Sequence, residues 1–448
     1  MNAVKNTFKR FVSVLLSMGI ALSLCGCVAN VDFTTEDFLV PPKPAGDMLD
    51  IRQALEESVE EKFTLKYPTD GDYRSAYIMA DLMEAGEKEF ALAFYSTLSS
   101  DNVATMHLNL MKKVDDSWLS ISDSTMAAVG VEKVILSDMN ADGISEIIVG
   151  WNVYGNVDKR VTVYQIKGLS LVPLMQEAYT KIICSALEQS EKKQLLVLNH
   201  NSGEGIATAK LYGLDANDLY DLGSCKLDGS VTYFYEPVAT KLSNGKPAVF
   251  IDAAIGNGTH TEILSLQSGK LSRADLVAGE NGGLLTYRNS ATLCTDINSD
   301  GIYDIPIIES QLSYIPGETS QPVAGMVKWC GFDGINFTVT LFAAMNYSDG
   351  YYLEIPIRWF GKTTIETNVE SRQYTVFVWD TENGTKLGEL FKLRTVTDAE
   401  WDKSNNGLEA YSEVARGGNL VYVAAVGNHQ GEEKTSLDEI KTLVHIIG

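Results

Sequence analysis

The stretch Asp138-Met139-Asn140-Ala141-Asp142-Gly143-Ile144-Ser145-Glu146, followed at once by the apolar run Ile147 to Trp151, decides how the rest of the chain is read. Oxygen-bearing side chains stand at positions one, three, five and nine, a glycine at six permits a sharp bend, and Ile144 at seven offers its backbone carbonyl. The stretch returns as Asp296-Ile297-Asn298-Ser299-Asp300-Gly301-Ile302-Tyr303-Asp304, with Ile302 at position seven and Ile305 to Ile308 behind it. Hard oxygens gathered on one side of a tight loop are the ligand set of calcium. Position twelve is Val149 in one copy and Ile307 in the other, and both flanks read as strands, so neither copy is an EF-hand. Hydrogen-bonded Asx turns use the same residue types, but two full copies at matching repeat positions weigh toward a metal.

Degenerate copies emerge when each apolar run serves as an anchor. Loop starts then fall at Asp81, Asp138, Ala186, Thr240 and Asp296, separated by 57, 48, 54 and 56 residues, near the period of roughly 40 to 50 expected for a propeller blade. Phe90 to Phe94, Ile147 to Trp151, Leu195 to Leu198, Val249 to Ile251 and Ile305 to Ile308 are short unbroken apolar runs, the mark of strands covered on both faces. Second and third β-like stretches follow each run. Arg160 to Ile166 alternates with period two, Lys167-Gly168 turns, and Leu169 to Met175 pairs back; Thr261 to Leu266, Gln267 to Lys270 and Leu271 onward repeat the order. The expected architecture is mainly β: a β-propeller of about five four-stranded blades over 66–346, with room for a sixth from material before Ala76 or from 312–346, then a small α+β domain over 349–448.

Strand, D-x-N-x-D-G-x-x-(D/E) loop and apolar strand together resemble the FG-GAP and VCBS-type repeats of integrin α-subunit propellers and of bacterial surface lipoproteins. The resemblance covers about 66–346, although the Phe-Gly and Gly-Ala-Pro signatures are missing and three loops are degenerate. It implies two structural calcium sites, one held by Asp138, Asn140, Asp142, the Ile144 carbonyl and Glu146, the other by Asp296, Asn298, Asp300, the Ile302 carbonyl and Asp304. Pro306 stands early in a strand expected to be internal, where its missing N–H breaks a ladder.

The N-terminus points outside the cytoplasm. Lys5, Lys9 and Arg10 precede an apolar run from Phe11 to Leu24 that is too short to span a bilayer, giving 1–26 the layout of a secretory signal. Leu24-Cys25-Gly26-Cys27 resembles a bacterial lipobox, which implies lipidation of Cys27 and membrane contact through that anchor alone. Residues 27–47, with Pro41, Pro42 and Pro44, read as a tether, and 48–65 as an amphipathic helix with Leu49, Ile51, Leu55, Val59 and Phe63 on one face. The chain carries −23, and because 1–26 holds three basic groups and no acidic one, the remainder carries −26, which disfavours nucleic acid and anionic lipid as ligands. Cys184, Cys225, Cys294 and Cys330 read as free core thiols.

In 349–448 the repeat is gone. Tyr351 to Arg358, Lys362 to Asn368, Tyr374 to Asp380, Leu387 to Arg394 and Leu420 to Val426 read as strands, and Ser436 to Glu439 as a capping box opening a helix. Signs of catalysis are thin: His107, His200, His260, His429 and His445 have no metal-ligand spacing, and only Gly256 to Glu262 gathers a histidine, hydroxyls and a carboxylate in one segment. Two functions stay open. One is a lipid-anchored binding or scaffold protein of the bacterial cell envelope that engages a protein or glycan; the other is a carbohydrate-active enzyme with carboxylates converging from several blades.

Overall fold

Ile147 to Trp151 shows how the chain builds its layers. The run lies in a strand whose side chains alternate between faces, and Ile147, Val149 and Trp151 enter one apolar cluster while Ile148 enters another. Both faces are covered, as an unbroken apolar run requires. The computed structural model describes residues 46–80, 82, 89–98, 103–155, 159–188, 190–201, 203–274, 286–308, 326–403 and 407–447. The expected signal segment, Cys27, the expected tether up to residue 45 and most of the degenerate loop at Asp81 lie outside the described residues, and Asp47 at the tether's end already belongs to the helix. By its contacts the chain divides into two units, 1–53 and 54–448, and every described strand belongs to the second.

The described strands form six antiparallel sheets. Sheet 1 holds β1 (Phe63–Leu65), β2 (Tyr77–Ala80), β3 (Phe90–Leu98), β4 (Ala104–Val114) and β5 (Ser117–Met126). Sheet 2 holds β6 (Gly130–Ser137), β7 (Glu146–Asn152), β8 (Lys159–Lys167) and β9 (Ser170–Tyr179); sheet 3 holds β10 (Lys181–Ser185), β11 (Gln194–Asn201), β12 (Ile206–Asp215) and β13 (Asp218–Lys226). Sheet 4 is β14 (Val231–Phe234), β15 (Val238–Lys241), β16 (Pro247–Ile255), β17 (Gly258–Gln267) and β18 (Lys270–Arg273). Each is a meander in chain order. In sheets 1 and 4 the first strand is split, β1 and β2 both pairing with β3, and β14 and β15 both pairing with β16. Asp115 and Asp116, and Ser268 and Gly269, carry the positive φ of tight hairpin turns, as Gln267 to Lys270 predicts.

Sheet 5 draws from both sides of the expected boundary at 346–349. It runs β19 (Ile305–Ile308), β20 (Met326–Phe332), β21 (Phe337–Asn346), β22 (Tyr351–Glu354) and, from the far end of the chain, β28 (Val444–Ile446). Pro306 is tolerated because β19 ladders with β20 on one side, while its other flank holds a single bridge, Thr295 to Asp304. Sheet 6 comes from a segment not foreseen as blade material: β23 (Thr363–Asn368), β24 (Gln373–Asp380), β25 (Thr385–Thr397), β26 (Ser412–Gly417) and β27 (Leu420–Val426), with β27 between β25 and β26. Two short helices accompany it, Asp398–Trp401, opened by a capping box at Thr397, and Leu437–Leu443, capped by Ser436.

Shared cores join successive sheets. Sheets 1 and 2 meet through Leu92, Phe94, Val149 and Trp151, sheets 2 and 3 through Ile148, Val163, Leu195 and Val197, and sheets 3 and 4 through Leu196, Leu198, Val249 and Ile251. Phe250 and Ile263 meet Ile305 and Phe332 between sheets 4 and 5, and Phe342, Tyr351 and Leu353 meet Val376, Phe391 and Leu393 between sheets 5 and 6. This face-to-face series of meanders is β-propeller architecture. The N-terminal helix ends at Ser58, short of the expected 65, because its last turn carries no basic residue to oppose the dipole and Glu60 and Glu61 follow. Phe63 to Leu65 pair with Tyr95 to Thr97 instead. None of the four described cysteines is in a disulfide; Cys294 and Cys330 are buried, Cys184 and Cys225 half-buried.

Candidate functional site

The two acidic loops fold alike. Loop 138–146 joins β6 to β7, and loop 296–304 leads into β19. In each, the first aspartate accepts from the backbone of residues five and six: Asp142 N at 3.2 Å and Gly143 N at 2.9 Å to Asp138, Asp300 N at 2.9 Å and Gly301 N at 2.8 Å to Asp296. Asn140 Oδ1 takes the Asp142 N–H and Asn298 Oδ1 the Asp300 N–H, while Asp142 and Asp300 take the N–H of Ile144 and Ile302. Ala141 and Ser299 share a left-handed φ near 60°, and Gly143 and Gly301 share 83°. The ninth residues, Glu146 and Asp304, are buried and reach back to the N–H of Met139 and Ile297.

Burial pushes the Glu146 carboxyl up to about 7, and the nearby charges of Asp142 and Asp138 push the same way. Asp304 is raised for the same reasons, burial first and then Asp300 and Asp296. Like charges gathered around a buried carboxylate are relieved by a cation, and the donors are all hard oxygens, so the residues fit calcium. Among the described residues, no group of three or more His, Cys, Asp or Glu side chains already converges as a metal cage. The two loops lie in sheets 2 and 5 as separate sites. Cys27 lies outside the described residues.

A second site was not foreseen. The first-strand edges of sheets 1 to 4 meet around a cavity of about 780 Å³. Its wall includes Lys133 on β6, Lys181 on β10, Asp70 and Tyr73 from the break between β1 and β2, Tyr233 on β14, and Glu236 at the break between β14 and β15. Where a first strand is interrupted, the connecting residues leave the ladder and carry polar side chains inward. Thr69 N and Asp70 N bond to Val131 O and Glu132 O, fixing the first break on β6. Gly71 is needed there twice over: its φ is 81°, and a Cβ would lie 3.0 Å from Lys133 Cγ. Lys133 and Lys181 show only 10% and 16% of their side chains, and both bind Glu236, Lys133 at Oε1 and Lys181 at Oε2, 2.8 Å. Lys133 also meets Asp70 at 3.3 Å. Burial works to raise Glu236 and Asp70, but the lysines, with the Gly71 N–H at Asp70, outweigh it and hold both carboxyls below their usual range. Behind them, Glu132 binds Lys159 and the Tyr179 hydroxyl, and Tyr179 is raised by burial and by Glu132, Asp70 and Glu236.

Two further clusters are polar ladders within sheets. Gly256 to Glu262, expected as a loop at a blade mouth, lies mostly in β17. There His260 meets Glu262 at 3.2 Å, Glu262 meets the half-buried Arg273 at 2.7 Å, and Thr261 and Arg288 close on Asp252, all but Arg273 buried. In sheet 1, Thr97, His107 and Asp123 form a chain of 2.9 and 2.7 Å on three adjacent strands, with Tyr95 stacked on the imidazole at 4.4 Å. The sequence showed the Gly256 to Glu262 segment but not its partners Asp252, Arg273 and Arg288, and it gave no sign of the sheet 1 chain, whose members lie 10 and 16 residues apart and meet only through strand register.

No family model and no curated protein matches the chain. Solved structures to which it is similar include rhamnogalacturonan lyase YesW, 10% identical over 73% of this chain and 76% of that one with a TM-score of 0.31. A Bacillus licheniformis rhamnogalacturonan lyase is 9% identical over 65% and 81%, TM-score 0.30, and the β-propeller domain of the Trilobed protease from Pyrococcus furiosus 8% over 68% and 86%, TM-score 0.27. Likenesses this faint say nothing of this chain's ligand or chemistry. No helix among the described residues is long and apolar enough to cross a membrane.

Proposed function

We propose that the chain is a binding protein of the bacterial cell envelope, anchored through lipid on Cys27, whose FG-GAP/VCBS-like propeller is stiffened by calcium at loops 138–146 and 296–304 and engages a glycan or protein at the cavity between sheets 1 and 4. Asp138, Asn140, Asp142, the Ile144 carbonyl and Glu146 would hold one ion, and Asp296, Asn298, Asp300, the Ile302 carbonyl and Asp304 the other. Calcium there supplies charge neutralisation and a rigid loop, a structural role.

The observation that carries the binding reading is the state of two of the three acids lining the cavity. Asp70 and Glu236 are held as carboxylates by Lys133 and Lys181, so neither is poised to protonate a leaving group, which glycosidic cleavage requires of one acid. A carbohydrate-active enzyme is the second reading, favoured by Glu132, bonded to the Tyr179 hydroxyl, standing behind the cavity acids Asp70 and Glu236. One experiment separates them: a panel of acidic and neutral polysaccharides is incubated with the protein in calcium, retention is measured, and the recovered glycan is sized by mass spectrometry. Retention of intact glycan supports binding. Shortened chains produced by wild type but not by Glu236→Gln overturn it in favour of catalysis.

A further inference from the structure

Lys133 and Lys181 stand side by side on the first strands of neighbouring sheets, each nearly covered, and share one carboxylate supplied by a third sheet. That carboxylate is itself half exposed. Glu236 leaves 51% of its side chain exposed and sits on the three-residue connection between β14 and β15, whereas the lysines are fixed on laddered strands. Two nearly buried ammoniums need an anion, because an unpaired buried charge is costly. The pair is therefore a receptor fixed on two ladders, and Glu236, half exposed, is the occupant that solvent can reach. Its two oxygens go one to each lysine, so the receptor matches a planar two-oxygen acid.

The surroundings narrow the ligand further. Tyr233, 52% exposed, stands beside the pair with its ring 5.7 Å from Lys181 Nζ, and Tyr73 lines the same wall. A few fixed charges among aromatic faces, in a cavity of about 780 Å³, suit a small ring that carries one acid group. The chain as a whole carries −23, so long-range attraction does not bring an anion here and recognition must come from these contacts.

We propose that this cavity receives a carboxylate-bearing sugar, its acid group taking the place of Glu236 between Lys133 and Lys181 and its ring lying against Tyr233. The inference rests on the binding reading above and specifies its ligand. Glu236 then acts as a built-in competitor that keeps the lysines paired until the sugar arrives.

The test titrates the full chain with glucuronate, glucose, acetate and inorganic phosphate, followed by saturation-transfer NMR and calorimetry. Glucuronate is expected to bind at least tenfold more tightly than the other three. Glu236→Gln is expected to tighten glucuronate a further tenfold or more by removing the competitor, and adding Lys181→Gln to that variant is expected to abolish the gain. Tyr233→Ala should weaken glucuronate but leave acetate unchanged. Far-UV circular dichroism and melting confirm that each variant is folded, and Lys181→Gln serves in place of a Lys133 variant because Lys133 also holds Asp70. Equal binding of glucose and glucuronate, equal binding of acetate or phosphate, no glucuronate binding by wild type and Glu236→Gln alike, or a Glu236→Gln variant that binds no better than wild type would each overturn the assignment. Retention of a neutral glycan or a protein in those same cases would leave the broader binding reading standing.

Discussion

Loops 138–146 and 296–304 share residue types, φ signature and internal hydrogen bonds, yet they are built into the molecule differently. In the first, Asn140 Nδ2 donates to Ala216 O at 3.1 Å, and Gln165 Nε2 bridges Ala216 O at 2.7 Å and Glu146 at 3.3 Å. Ala216 belongs to the turn between β12 and β13, so this loop fastens sheet 2 to sheet 3. The second is tied within its own sheet: Thr340 Oγ1 donates to Asp304 at 2.5 Å, and Tyr352 OH to Ile297 O at 3.0 Å. Asn140 is buried where Asn298 is exposed. The same nine residues can thus staple two blades or finish one, depending on what the neighbouring turn presents.

The widest test of that pairing is metal removal. Calcium at ~100 times its dissociation constant adds about 2.7 kcal/mol per site, so chelator should lower stability by roughly twice that if both loops bind. Scanning calorimetry with and without chelator reads it, and the double variant Asp142→Ala with Asp300→Ala should be indifferent to chelator. A wild-type melting temperature that ignores chelator removes the metal from both loops.

Glu146→Gln should next produce an effect whose sign depends on calcium. The amide keeps an acceptor for Met139 N–H and removes a charge repelled by Asp138 and Asp142 but gives up the weaker bond from Gln165 Nε2, so without calcium the variant gains less than about 1 kcal/mol, and with calcium it loses a ligand and is destabilised by about 1–3 kcal/mol. Asp304→Asn should show the same reversal, reduced because the Thr340 hydroxyl already supports the charge. Urea unfolding in both conditions decides; equal losses with and without calcium would mean that hydrogen bonds alone hold these carboxyls.

The smallest effects belong to the anchors. Gln165→Ala leaves Ala216 O and a buried carboxylate short of a donor and should cost about 1–2 kcal/mol, against about 0.5–1 kcal/mol for Thr340→Val. Matching losses in urea titrations would erase the distinction between a loop that joins blades and one that does not.

Much of the fold was readable beforehand. Unbroken apolar runs announced strands covered on both faces, and Ile148 turning away from Ile147 and Val149 shows why: a period of two sends one run into two cores. The two acidic loops also came directly from spacing, since a nine-residue turn closes through its own backbone, whereas the expected loop start at Thr240 lies inside β15. Most strands of sheet 6, and β22, were read as strands, but not their assembly into one further sheet nor the joining of β22 and β28 to sheet 5, because Leu353 and Val444 are strand neighbours only after the chain has passed through an entire further sheet. The Lys133, Lys181 and Glu236 cluster left no local trace, for its members are drawn from three sheets.

Taken alone, the order of residues determined the β periodicity, the bends and the oxygen donors within each bend, all of which act over fewer than about ten residues and depend on backbone geometry. Only the tertiary structure decided which turn each acidic loop meets, where two first strands break, and that Asp70, Lys133, Lys181 and Glu236 come to share one cavity. Those outcomes arise from sheet stacking, in which non-directional apolar contact sets the faces together and thereby carries along whatever charges the edges hold.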